Sequence, residues 1–217
     1  HLATVRGCVD CHGTTFGGAI VVENPTLGRI AGPNLTTGRP GGALTPRDWE
    51  RAVRHAVRRD GAPYIIMPSH EFTGIADDDL AAIVAWANAL PPQRTVQPAS
   101  YAGPVARGLY MADRMTLVPA ERIDHARPHV ASVPAEPTAA YGACLATGCV
   151  GCHGDRLSGG PIPGGPPDWT PAANITPEGI GRWSEADFVR AMREGKRPDG
   201  STIRPPMPIA ATKHMTD

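Results

Sequence analysis

The motif C-x-x-C-H occurs twice in this chain, as Cys8 to His12 and as Cys149 to His153, each time followed by glycine. It opens a longer repeat. Gly32 to Thr36 (G-P-N-L-T) answers Ala172 to Thr176 (A-A-N-I-T), and Thr45 to Ala52 answers Ser184 to Ala191. Arg59-Asp60-Gly61 then answers Pro198-Asp199-Gly200, and Met67-Pro68 answers Met207-Pro208. Matched segments that arrive in one order at a nearly constant offset are the mark of a unit written twice.

The two units predict the same local structure. Thr45-x-x-Asp48 and Ser184-x-x-Asp187 have the form of capping boxes, with Pro46 suited to a first helical turn. They predict helices from Pro46 to about Arg58 and from Glu185 to about Glu194. Trp49, Val53 and Val57 give the first an apolar stripe, and Phe188, Val189 and Met192 repeat it on the second. Asp-Gly then marks a turn before a Pro-rich stretch that reaches the methionine. In the first unit Asp77, Asp78 and Asp79 start another helix carrying Leu80, Ile83, Val84, Ala87 and Leu90, which Pro91-Pro92 stops. The second unit lacks this helix; Thr216-Asp217 stands where its cap would be expected. Between the units lies a segment rich in Pro and Ala, with one short helix expected from Val105 to Leu117.

Composition says what must hold such a chain together. Gly (25) and Pro (24) make up close to a quarter of the 217 residues, and aromatics only 5%. Small cores with long loops usually need a staple. The charge balance, 21 Lys plus Arg against 21 Asp plus Glu, argues against a nucleic-acid partner, whose affinity rests on a basic surface. No run approaches the roughly 20 apolar residues that would span a bilayer. The chain opens at His1 with no signal-peptide core, which reads as a mature or trimmed product with any anchor upstream.

C-x-x-C-H is the attachment signature of c-type haem. Two thiols at this spacing form thioethers to the haem, and the adjacent histidine reaches the iron. The expected cofactors are therefore two covalently bound haems c, held by Cys8, Cys11 and His12 and by Cys149, Cys152 and His153. Methionine opposite histidine raises the reduction potential. Met67 lies 55 residues beyond His12 and Met207 lies 54 beyond His153, so these two are the expected sixth ligands. A zinc site built from both C-x-x-C pairs, or a redox dithiol at one of them, is the alternative, but neither gives the repeated Met-Pro a role.

With these motifs in place, both halves resemble class I cytochrome c domains, of the kind found in dihaem subunits of periplasmic electron-transfer chains. Gly181 to Gly195 (G-R-W-S-E-A-D-F-V-R-A-M-R-E-G) and Asn174 to Gly179 are similar to cytochrome subunits of membrane-bound alcohol and sugar dehydrogenases. The resemblance implies an all-α fold: two tandem class I cytochrome c domains joined by a Pro-rich connector. The boundaries would be 1–92 and 138–217 for the domains and 93–137 for the connector. It also implies that the carbonyl of Pro33 accepts a hydrogen bond from the haem-ligating histidine, with Ala173 in the matching place. The family pattern has a helix before C-x-x-C-H and one after the methionine; both ends of this chain fall short of it.

Other candidates are set aside at this stage. His55, beside Arg51, Arg54 and Arg58, reads as part of a solvated helix face, and His70 as an exposed loop residue. His125 and His129 lie in the connector and are given no metal role. Cys144 reads as a small buried residue rather than an intermolecular link. Met192 reads as core, and Met111 and Met115 as packing for the connector.

The function expected is a relay of single electrons between redox protein partners. It would be a subunit of a membrane-associated respiratory or photosynthetic complex, periplasmic or otherwise extracytoplasmic. It would not itself be an enzyme and would take no small-molecule substrate. The alternative is a dihaem cytochrome c enzyme of peroxidase or thiosulfate-oxidising type, which needs one iron with an open position.

Overall fold

The computed structural model describes residues 1–163, 165–166 and 168–215, so the cap expected at Thr216-Asp217 lies outside the described residues. The chain begins with two short helices, α1 (Leu2–Val5) and α2 (Cys8–His12). They are separated at Gly7, whose φ of 72° is cheap only without a Cβ.

A three-stranded antiparallel sheet follows, which an all-α reading does not include. β1 (Ala19–Asn24) pairs with β2 (Gly28–Gly32), with Ala19 opposite Gly32 and Asn24 opposite Gly28. The run Ile20-Val21-Val22 suits extended backbone, because branched side chains fit a pleated surface. The hairpin closes on Asn24, whose side-chain oxygen accepts from the N–H groups of Thr26 (2.9 Å) and Leu27 (3.0 Å). β3 (Tyr101–Ala102) comes from the connector and pairs antiparallel with β2. Helices still dominate the described residues; the sheet is the correction.

Helix α3 (Pro46–His55) starts on the expected capping box: Thr45 Oγ1 accepts from the N–H of Asp48, and the Asp48 carboxylate accepts from the N–H of Thr45. Arg59 reaches the same carboxylate at 2.7 Å. The Arg59 and Thr45 bonds hold the Asp48 carboxyl far below the usual range. The helix ends three residues before the expected Arg58, because Ala56 turns to a left-handed φ of 54°. Val57 therefore leaves the helical stripe for an isolated pairing with Pro63.

After α4 (Ser69–Phe72), helix α5 (Asp77–Ala89) starts on its three aspartates and ends before Pro91, close to expectation. Leu80, Ile83 and Ala87 of α5 close over Phe16, Trp49 and Ile75 to form the main core. Phe16 is fully buried and meets the Trp86 ring edge-on at 4.7 Å.

The connector is ordered against this first unit. Its helix α6 (Pro104–Met111) is shorter than the Val105 to Leu117 expected. Leu117 and Ile123 are buried, whereas Met111 is 82% exposed and packs nothing. Further on, the carbonyls of Val130 and Ala131 accept from the N–H groups of Asp77 and Asp78 at 2.9 and 3.2 Å.

The second half repeats the first with fewer elements: α7 (Ala139–Ala146), α8 (Val150–His153), α9 (Pro177–Ile180), α10 (Glu185–Glu194) and α11 (Ile209–Thr212). Helix α10 has the predicted boundaries and the predicted Ser184–Asp187 capping box. Gly195 ends it in the left-handed region, as Ala56 ends α3. Ser69 Oγ donates to the carbonyl of Ala52 (2.8 Å), and Thr212 Oγ1 to that of Met192 (2.6 Å). Each such bond fastens the segment after a methionine to the helix before it. With no counterpart of α5 among the described residues, Phe188 is left 45% exposed on α10 rather than in a core.

The halves meet at Arg6. Its buried guanidinium donates to the Cys144 carbonyl (3.0 Å) and to Thr147 Oγ1 (3.1 Å), and lies 3.6 Å from Asp79. Cys144 is buried on α7, as expected of a small apolar residue.

Candidate haem-attachment sites

In α2, the two cysteines and the histidine occupy one and a half turns. His12 is 9% exposed, and its Nδ1 lies 2.9 Å from the carbonyl of Pro33. A carbonyl only accepts, so Nδ1 carries the proton and the neutral ring keeps its lone pair on Nε2. That leaves Nε2 as the available metal ligand, with the ring orientation fixed by the carbonyl. Burial pushes the ring's pKa down, and the Pro33 bond partly offsets it. The bland reading, a histidine merely satisfied inside a core, accounts for Nδ1 only.

The strand end that supplies Pro33 passes hard against α2. A Cβ on Gly32 would stand 2.0 Å from the Cys11 carbonyl oxygen, so only glycine fits. Beyond Pro33, Asn34 is buried and ties the loop together. Its side-chain oxygen accepts from the N–H and hydroxyl of Thr36 (2.9 and 2.8 Å), and its NH2 donates to the Gln93 carbonyl at 2.7 Å.

The second site reproduces this framework. His153 is 8% exposed, with Nδ1 2.8 Å from the Ala173 carbonyl. Asn174 accepts from the N–H and hydroxyl of Thr176 at 2.9 and 2.7 Å. The N–H of Gly18 donates to the His12 carbonyl and that of Gly159 to the His153 carbonyl, both at 2.9 Å. Pro33 is thus not needed as proline for this bond, since Ala173 offers the same carbonyl. One difference is Glu71, which packs over the second motif: a Cβ on Gly151 would lie 1.9 Å from its Oε1. Burial there pushes the Glu71 carboxyl up to about 7.

The four motif thiols are shifted up, Cys8 to about 11, with burial the leading cause at each. Reactive dithiols need a lowered thiol pKa, so the redox-dithiol reading loses ground. Among the described residues, the one cluster with metal-binding geometry is Glu50, His55 and His129, which contains no cysteine. The C-x-x-C pairs therefore do not build a shared zinc site. A haem fits the donor set. Trp49 Nε1 in the first unit's core is also buried with no partner among the described residues, a donor that an acceptor on a bound group would satisfy.

Met67 and Met207 are both half-buried, in loops fastened to α3 and α10. Two histidines differ from expectation. His70 belongs to α4 rather than an exposed loop, with a buried Nδ1 that has no hydrogen-bond partner among the described residues. His55 stays partly exposed but is not left to solvent alone, because His125 stacks on it with ring centroids 5.2 Å apart. Neither contact has a local signal, since each depends on the path of a distant segment.

No family model matches the chain. Among curated proteins, it is 27% identical over its whole length to the cytochrome c subunit of a quinone alcohol dehydrogenase from Gluconobacter oxydans, covering 51% of that protein. Over 90% of its length it is 29% identical to the gluconate 2-dehydrogenase cytochrome c subunit of Pantoea cypripedii. It is 33% identical, again over 90%, to the fructose dehydrogenase cytochrome subunit of Gluconobacter japonicus. Its homologues are cytochrome c subunits of dehydrogenases. The chain spans about half the length of the curated relatives it matches, 44% to 51%.

Proposed function

We propose that this chain carries two covalent haems c and relays single electrons as part of a dehydrogenase cytochrome c subunit. Cys8 and Cys11 would hold one haem and Cys149 and Cys152 the other, with His12 and Met67, and His153 and Met207, as axial ligands. The units 1–92 and 138–217 would be tandem class I cytochrome c domains about the connector 93–137. The observation that carries the reading is the repeated histidine geometry: two buried rings, each with Nδ1 bound to a backbone carbonyl and Nε2 left for a metal.

Each haem, when bound, supplies a one-electron couple. The protein's part is to hold and tune it. Thioethers keep the haem in place, and the carbonyls of Pro33 and Ala173 fix the histidine tautomer and raise its basicity. Met67 and Met207, in loops fastened to α3 and α10, would be the second protein ligands when the haems are bound. The partners would be redox proteins of a membrane-associated complex on the extracytoplasmic side. No helix among the described residues is long and apolar enough to cross a membrane.

Carbon monoxide tests the relay against the peroxidase-type alternative. Reduced protein at neutral pH is expected to change its spectrum little when the gas is added, because each iron would already have a histidine and a methionine as protein ligands. Rapid stoichiometric binding would overturn the relay reading.

A further inference from the structure

Three histidines and a glutamate, far apart in sequence, meet on the surface of the first unit. Glu50 and His55 come from α3, and His125 and His129 from the connector. Glu50, His55 and His129 each offer a ligand atom within 4.8 Å of the others. Nδ1 of His129 lies 3.5 Å from Glu50 Oε1. Nδ1 of His55 lies 3.0 Å from Nδ1 of His125.

Hydrogen bonding fixes which nitrogens are bare. His125 Nε2 is 3.0 Å from the Ala120 carbonyl, which can only accept, so Nε2 carries the proton and Nδ1 of the neutral ring is a lone pair. His129 Nδ1 is also a lone pair, because its neighbour at 3.1 Å is Arg54 Nη1, which can only donate. His55 Nδ1 then supplies the proton between itself and His125. Moving that proton to Nε2 would leave bare nitrogens on His55 and His129 beside the Glu50 carboxylate.

We propose that Glu50, His55 and His129 form a binding site for a divalent cation of the zinc class, with His125 bonded to His55 beside it. Imidazole and carboxylate are the ligands such ions take. A tetrahedral ion with Zn–N bonds of about 2.0–2.1 Å sets its ligand atoms roughly 3.3 Å apart. The 3.5 Å between His129 Nδ1 and Glu50 Oε1 lies near this, and the three ligand atoms all lie within 4.8 Å of one another. Arg54 Nη1 gives way on binding, while its Nη2 stays bound to the Ile75 carbonyl (2.8 Å) and Asp77 (2.6 Å). Asp77 and Glu50 offset the local positive charge. The ion would clip the connector to α3 beside the backbone bonds from Asp77 and Asp78. The site is separate from both C-x-x-C-H motifs and stands whether or not the haem reading does.

The test is calorimetric titration of untagged protein, isolated with its native cofactors and stripped with a chelator, using zinc chloride. One ion per chain is expected, and His55→Ala and His129→Ala should each weaken binding roughly 10- to 100-fold, with His214→Ala as the unaffected control. In parallel, zinc should shield His55 and His129 of the unmodified protein from diethyl pyrocarbonate, read by peptide mass. No binding, equal affinity in folded variants, or no shielding would each overturn the site.

Discussion

Arg6 Nη1 donates to the Cys144 carbonyl at 3.0 Å, joining residues 138 positions apart. The same side chain bonds Thr147 and lies beside Asp79, so one buried cation couples α1, α5 and α7. Removing it would take one of its two side-chain donors from the Cys144 carbonyl, leaving the Thr147 hydroxyl at 2.8 Å, and leave Asp79 without its counter-ion. Arg6→Ala is therefore expected to cost about 2–4 kcal/mol of stability, measured by denaturant unfolding. Arg6→Lys should recover only part, since one ammonium cannot reproduce the forked guanidinium contacts.

Glu71 makes the second site sensitive to pH. Its carboxyl is pushed up to about 7 in the folded chain, against about 4.3 when unfolded. Between those values the folded state holds the proton more tightly, so stability falls as pH rises. Glu71→Gln is expected to flatten that slope in thermal melts from pH 5 to 8. A wild-type slope that persists unchanged in the variant would reject the assignment.

Asp48 works in the opposite direction. Its carboxyl is held far below the usual range by Arg59 and Thr45, so its contribution is present above the unfolded pKa of about 3.9 and is lost as pH falls through the folded value. Asp48→Ala removes a cap and an ion pair at once and should cost about 1–2 kcal/mol at pH 7. Asp187, its exposed counterpart, should matter less. Paired denaturation curves for Asp48→Ala and Asp187→Ala check the order.

Local chemistry was legible in the sequence, and long-range path was not. The capping boxes placed α3 and α10, and the boundaries of α10 were right, because their signals lie within four residues of each other. The motif histidines, Pro33 and the Asn-Thr segments could be found because the repeat aligns them. The β1–β2 hairpin was an exception, a local element passed over despite its Ile20-Val21-Val22 run, whereas β3 is two connector residues that pair some 70 positions away with β2. The cluster of His55, His125 and His129 escaped for the same reason: each residue alone looks solvated, and only the folded connector brings them together.

Gly32 is a further point where the attachment site can be broken without touching a ligand. A Cβ there would meet the Cys11 carbonyl at 2.0 Å, while one on Gly108 in α6 would meet nothing within 4 Å. Gly32→Ala should displace α2 from the Pro33 loop and lower the yield of haem-loaded protein. Gly108→Ala should be neutral or stabilising by up to about 1 kcal/mol. Cofactor content per chain and melting temperature distinguish the two.

The most direct measurement is the intact mass of the natively matured protein after acid–acetone extraction, which removes haem that is not covalently bound. Two haems should remain on each chain. One should remain when Cys8 and Cys11 are both replaced by alanine, and one when Cys149 and Cys152 are. A mass equal to the bare polypeptide, or a single haem lost with only one of the two pairs, would contradict the account.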